Sequence, residues 1–284
     1  MIRYQVRGLT AWLLCGLLMP AWLGAQSLQQ AMDEVPFITT PDHVTVAMLE
    51  LAGVSAADHL IDLGSGDGRI VITAAKRFGA SGLGVEIVPD LVARSMDAAR
   101  LAGVAARTRF VVQDLFDTNL TPASVVTMYL LPEVNMALRP RLLSLAPGTR
   151  IVSHDWDLGD WVPDRTLTLQ VPQKAVGREK ISRLYLWTVP ARVGGLWCST
   201  AGAELRIEQT HQQVQASLSR GIERLSYSGR VHGQKLHLVS AAGAPWSAVT
   251  ESDRLQETDL PLICPNASPQ PVCRWIRAHG NTCG

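Results

Sequence analysis

Residues 60–69 read Leu-Ile-Asp-Leu-Gly-Ser-Gly-Asp-Gly-Arg. An apolar run that carries the acid Asp62 and then breaks into glycines at 64, 66 and 68 has the pattern of a strand entering a bare turn ahead of a helix. Glycine there lets backbone approach a ligand closely at the carboxyl edge of a parallel sheet. The spacing is GxGxG, one residue short of the GxGxxG of dinucleotide sites, which disfavours a pyrophosphate cradle and suits a ligand presenting an ammonium and a carboxylate. Two further acids recur at the ends of the next two apolar runs: Glu86, placed to accept hydrogen bonds from both hydroxyls of a ribose, and Asp114, within reach of an adenine edge. Each acid alone also fits a helix cap or a solvated loop. Together beside DxGxGxG they specify a ligand with an amino-acid end, a ribose and an adenine, which is S-adenosylmethionine.

These residues need a scaffold that brings successive strand ends to one edge. Between 58 and 155 short apolar runs alternate with amphipathic stretches: strands are expected over 59–63, 82–86, 108–112, 124–130 and 150–153, and helices over 70–78, 90–101 and 133–145. Such alternation implies a parallel sheet covered by helices on both faces. Gly79, Gly103 and Gly148 follow the helices where a left-handed terminus favours glycine. Ahead of the first strand, Thr40 is placed to cap a helix that starts at Pro41 and stops at Gly53. Runs at 165–171 and 183–189, with no helical pattern between them, read as an antiparallel pair on the sheet edge, giving seven strands. From about 191 the texture changes to short alternating segments at 194–197, 203–210, 213–218, 223–227 and 235–240, the pattern of a small all-β module with Trp197, Leu205, Ile207, Val214 and Leu218 as its core.

The 284 residues, 47% hydrophobic and 18% charged, belong to a folded chain, and a net charge of +1 provides no basic field for nucleic acid. No spacing of Cys and His supports a metal site. Residues 1–25 carry Arg3 and Arg7, an apolar run from Leu9 to Leu23 and small residues before Gln26, which reads as an export signal cleaved after Ala25. Its apolar core is short of the roughly 20 residues of a membrane span, and an uncleaved membrane anchor is the alternative. Four of the five cysteines, Cys198, Cys264, Cys273 and Cys283, lie in the last third, consistent with disulfides in an oxidising compartment; Cys264–Cys273 with Cys198–Cys283 closes one local and one long loop. Export sits uneasily with a cofactor made in the cytosol.

The stretch DLGSGDGR, followed by GVEIVPDLV at 84–92 and two edge strands, resembles the class I S-adenosylmethionine-dependent methyltransferases. The resemblance implies an α/β fold, a seven-stranded doubly wound, Rossmann-like methyltransferase sheet over 35–190, with the all-β module at 191–284. Within that class, PFITTP at 36–41, DLGSGDGRIVITAAKR at 62–77, and the VPD, QDLF and SHDW segments are similar to the lysine methyltransferases acting on the ATP synthase c-subunit and the adenine nucleotide translocase and to their bacterial relatives. The DLGSG opening is also similar to histone-lysine methyltransferases that lack a SET domain. Carried over, the resemblance implies that Asp62, Gly64, Gly66 and Gly68 line the methionine and ribose, that Glu86 binds the ribose and Asp114 faces the adenine, and that Thr39 and Thr40 close over the methionine end. It places Tyr129-Leu-Leu-Pro-Glu133 where such enzymes meet the acceptor, without the (N/D)PP(Y/F) signature of enzymes that methylate bases or the glutamine amide. Tyr129, Glu133, His154 and Asp155 become candidates to orient an acceptor amine, although His154-Asp155-Trp156 also reads as a plain strand terminus. The implied activity is protein-lysine N-methylation, with a protein partner that an exported enzyme would find in the envelope or at a membrane. The alternatives are a methyltransferase-like binding module without turnover and a small-molecule methyltransferase.

Overall fold

In the computed structural model, residues 38–174, 179–258 and 274–283 are described, and Thr39–Gly284 form the unit treated below. The expected export signal at 1–25, Cys264, Cys273 and their expected bridge lie outside the described residues.

The first half of the unit alternates as the periodicity requires. Helix α1 (Asp42–Leu51) precedes β1 (His59–Leu63), α2 (Arg69–Phe78), β2 (Ser81–Glu86), α3 (Pro89–Leu101), β3 (Thr108–Val112), β4 (Val125–Met128), α4 (Pro132–Leu142) and β5 (Arg150–His154). The edge pair is β6 (Arg165–Gln170) and β7 (Ile181–Thr188). These strands form one seven-stranded sheet in the order β3-β2-β1-β4-β5-β7-β6, with β1 to β5 parallel and β7 antiparallel to both neighbours. Order reverses at β1, between β2 and β4, so the carboxyl ends of β1, β2 and β4 open on the crevice where such sheets bind ligands. β1 and β4 are buried almost throughout, as strands covered on both faces must be. One apolar cluster joins α1, α2 and α3 to one face through Met48, Leu60, Val71 and Val152; the other joins α4 and the loop beyond β5 through Ile61, Met128, Leu138 and Trp161.

Two local expectations are corrected. Pro41, not Thr40, is the N-cap of α1, and no side chain caps it; the Thr40 hydroxyl is turned to His154 instead. The helix expected over 133–145 ends at Leu142, with Pro140 inside its last turn.

The C-terminal part lies within the expected 191–284 and holds more strands than the five segments expected there. Eight strands, β8 (Gly195–Ser199), β9 (Glu204–Thr210), β10 (Gln213–Arg220), β11 (Glu223–His232), β12 (Lys235–Ser240), β13 (Pro245–Glu251), β14 (Arg254–Glu257) and β15 (Arg274–Arg277), pair antiparallel in sequence order. β15 then pairs with β8 and closes a barrel, leaving no open edge. The expected core residues Trp197, Leu205, Ile207, Val214 and Leu218 are buried inside it with Trp246 and Trp275. A Cys198–Cys283 disulfide bridges β8 to the C-terminus. The barrel is tied to the α/β part by Arg230 to Asp164 and by the Ala191 amide donating to the Gly233 carbonyl.

Candidate functional site

The glycine turn is held in place before any ligand arrives. The amides of Gly64 and Ser65 both donate to the Val85 carbonyl at 2.9 Å, the Gly68 amide donates to Ser65, and the Ser95 hydroxyl donates to the Gly66 carbonyl at 3.0 Å. Gly64 and Gly68 have φ of +71° and +76°, a left-handed conformation that other residues resist. A Cβ on Gly68 would lie 2.7 Å from the Phe110 ring, and one on Gly84, in β2, would lie 2.5 Å from the same ring and 2.7 Å from the Ser65 hydroxyl. The turn and strand therefore approach as closely as bare backbone allows.

Around this turn stand the acids expected from sequence. Asp62 is 2% exposed, next to the carboxyl end of β1, where it accepts a hydrogen bond from Thr127 at 2.7 Å. Burial pushes its carboxyl up to about 7; the Thr127 bond opposes this, and the charges of Glu86 and Asp67 add to it. Glu86, at the end of β2, accepts from the Gly66 amide at 2.9 Å through one oxygen and from the Ile87 and Val88 amides through the other. It is thus fastened to the turn itself. Asp114 follows β3, and its carboxylate caps the short 3-10 turn Leu115–Asp117 by accepting from the Phe116 amide at 2.8 Å. The Gln113 amide donates to the Glu86 carbonyl, which keeps Asp114 on the same sheet edge.

The residues present fit S-adenosylmethionine. A buried carboxyl without a cationic partner, as Asp62 is among the described residues, becomes favourable as an anion once an ammonium lies beside it. The Ser65 hydroxyl is buried and lacks a hydrogen-bond partner among the described residues. Ile87 and Val112, the latter opposite Glu86 across β2 and β3, leave apolar side chains exposed beside the acid, suited to a planar base.

A second cluster lies beyond β4 and β5. The Tyr129 hydroxyl donates to Asp155 Oδ2 at 3.0 Å, and the Tyr129 ring stacks on His154 with centroids 3.9 Å apart. Both His154 nitrogens are engaged, Nδ1 with the Thr40 hydroxyl at 3.2 Å and Nε2 with Ser182 at 2.8 Å. Burial pulls the imidazole down to about 4 against the pull of Asp155, and the Lys174 charge adds to the fall, so the ring is neutral at pH 7. Burial raises the Asp155 carboxyl, but the Lys174 hydrogen bond, the His154 ring, the Arg183 amide and the Lys174 charge outweigh it and hold it below the usual carboxylate range. Asp155 also adopts φ of +66°, turning its side chain back toward β7, where the Arg183 amide donates to it. Burial, with the Asp155 charge and hydrogen bond, pushes the Tyr129 hydroxyl well up, so it stays protonated.

Sequence reasoning brought together more than the structure does. Glu133 is exposed in the first turn of α4, and no hydrogen bond links it to this cluster among the described residues. Thr39 is exposed, whereas Thr40 is buried and tied to His154 by its hydroxyl and to Arg69 by its carbonyl at 2.9 Å. Arg69, Thr127, Ser65, Lys174 and Ser182 were missed. Ser65 and Arg69 belong to the glycine motif stretch and were legible there; Thr127 and Ser182 meet the site only through pairing of strands distant in sequence, and Lys174 through the connection between β6 and β7.

Comparison with known proteins follows the same outline. Residues 62–165 match a family described as the ANTKMT methyltransferase domain. A protein-lysine N-methyltransferase of Saccharolobus islandicus is 41% identical over 141 residues, covering 49% of this chain and 88% of that protein. The ATP synthase c-subunit lysine N-methyltransferase of Mus musculus is 38% identical over 108 residues, covering 38% of this chain and 43% of that protein. Among solved structures, an RNA methyltransferase from Salinibacter ruber in complex with S-adenosyl-L-homocysteine is 50% identical, covering 55% of this chain and 96% of that one, with a TM-score of 0.49.

Proposed function

This chain belongs to the methyltransferase family that holds the protein-lysine N-methyltransferases, and from that premise we propose that it methylates the side-chain amine of a lysine in another protein. The observation that carries the reading is Asp62, a buried acid in search of a cation, against a pinned glycine turn that Glu86 grips from the next strand. When bound there, S-adenosylmethionine supplies a methyl group already activated on a sulfonium. Asp62 and the Ser65 hydroxyl would hold its amino-acid end. A carboxylate offers about four lone-pair sites, and the Gly66, Ile87 and Val88 amides take three of those on Glu86, so one ribose hydroxyl would fit beside them and a second would take the place of an amide. Asp114, with Ile87 and Val112, would hold the base.

Tyr129 and Asp155 orient the acceptor. An ionised carboxylate attracts the lysine as its ammonium, and this raises the amine's pKa above its ordinary value of about 10.4. Asp155 therefore docks the acceptor rather than deprotonating it, and the attacking amine forms by losing its proton to solvent. His154, neutral and bonded at both nitrogens, serves as the plate against which Tyr129 stacks. Positioning of the amine is the main contribution asked of these residues.

The test is transfer of a methyl-labelled cofactor by the purified protein to proteins of a cell extract, followed by acid hydrolysis. Label recovered as methyllysine is expected. Label in RNA or in small molecules would overturn the acceptor class, and no label from protein that binds the cofactor would favour a binding module. Export is a separate proposal resting on the pattern of residues 1–25, and a fusion reporter active only outside the cytoplasm tests it.

A further inference from the structure

One side chain of the acceptor cluster has no part in the mechanism above. Lys174 lies in the connection between β6 and β7, its amide donating to the Val171 carbonyl, and its side chain is 11% exposed. Its Nζ donates to Asp155 Oδ2 at 2.5 Å and to the Ile181 carbonyl at 2.5 Å. The oxygen it takes is the one that accepts from the Tyr129 hydroxyl. A primary ammonium on a four-carbon stem thus occupies the groups proposed to receive a primary ammonium on a four-carbon stem.

We infer that Lys174 is an internal stand-in for the acceptor lysine, seated on Asp155 and Tyr129, which an incoming lysine must displace before it can be methylated. The inference rests on the methyltransferase reading for its consequence, but the competition itself is a binding property. Asp155 Oδ2 cannot serve two ammonium groups at full strength, so the apparent affinity for an acceptor is reduced by the fraction of molecules in which Lys174 is seated. The arrangement also keeps a half-buried carboxylate neutralised between turnovers, where an unpaired charge would be costly. Lys174 lies outside the β6 and β7 ladders, so it can withdraw without breaking their pairing. A stand-in of this kind selects for substrates: a lone amine competes poorly, whereas a protein bringing further contacts wins.

The experiment uses n-butylamine as a probe of the site and the full chain as the protein. Lys174→Met keeps the apolar stem; Lys174→Gln replaces it should the first variant fail to fold. Either is expected to bind n-butylamine about tenfold or more tightly than the unaltered protein, measured by calorimetry. Lys174→Arg, which keeps the charge, should stay near the unaltered value, and adding Asp155→Asn to Lys174→Met should abolish the gain. In transfer assays the KM for an acceptor peptide should fall in Lys174→Met, with the fall absent in Lys174→Arg. Equal n-butylamine binding by Lys174→Met and the unaltered protein would overturn the inference, whatever the enzyme does. Gained amine binding without methyl transfer would instead keep the stand-in and remove the methyltransferase reading.

Discussion

Replacing Asp62 by Asn should stabilise the ligand-free protein and at the same time cripple cofactor binding. The side chain keeps its shape, and its oxygen can still accept from Thr127 Oγ1, as Asp62 does at 2.7 Å. What disappears is the ionisation of a group that burial shifts from 3.8 to about 7. The raised value means that folding favours the protonated acid: its contribution is full below pH ~4 and is lost as pH climbs through 7. At pH 8 ionising Asp62 in the fold costs about 4 kcal/mol, at 1.36 kcal/mol per pH unit. Water entry and relaxation reduce what is measured, so a gain of about 2 kcal/mol or more is expected, or roughly 4–8 °C in Tm for a unit of this size. The gap between variant and parent should widen by about 2–3 kcal/mol between pH 5 and pH 8. The assay is denaturant or thermal unfolding of both proteins across that range. A variant less stable than the parent at pH 8, or a gap that does not change with pH, would refute the assignment of Asp62 as an uncompensated buried acid. Calorimetry on the same samples should show S-adenosylmethionine affinity reduced roughly 10–100-fold, the value of a charge-assisted hydrogen bond.

The remaining expectations concern other parts of the account. Glu86→Gln weakens two or more charge-assisted bonds, so Kd for the cofactor should rise at least tenfold by calorimetry, while the far-UV circular dichroism stays unchanged. Gly84→Ala puts a methyl 2.5 Å from Phe110 Cδ1 and should cost about 1–3 kcal/mol in denaturant unfolding, with loss of cofactor binding. Because Asp155 docks the acceptor as an ammonium, the transfer rate at subsaturating acceptor should rise about tenfold per pH unit from 7 to 9; a plateau near neutrality would point instead to a base within the site. Cys198→Ser opens a cross-link spanning 85 residues of sequence and should cost the barrel up to about 4–5 kcal/mol, read as an earlier unfolding transition that reductant reproduces in the parent.

Where a single segment decided the outcome, the sequence was enough to read it. The strand carrying Asp62, the glycine turn and the helix that follows are contiguous, and their periodicity switch is sharp. The edge pair was legible because 165–171 and 183–189 alternate with no helix between them. Closure of the barrel was not, because β14 and β15 are short, and the pairing of β15 with β8 joins residues some eighty positions apart. Glu133 attracted attention by its place after β4, yet the first turn of α4 carries it outward, as a helix register decides and a motif does not. Thr40 has the chemistry of a helix cap and is used otherwise, since a buried imidazole needs partners for both nitrogens. Lys174 could not be found at all from sequence, because a lysine in a loop is ordinarily solvated and only the turn of the chain at Asp155 brings it inside.

The central claim is that the three acids and the glycine turn form one pocket for a single nucleoside-bearing sulfonium. Calorimetric titration of the purified chain with S-adenosylmethionine tests it most directly. One molecule bound per chain is predicted, with affinity that strengthens from pH 6 to pH 8 as Asp62 ionises and that is weakened about tenfold or more in Asp62→Asn and Glu86→Gln alike. Absence of binding, or binding that neither substitution disturbs, would contradict it.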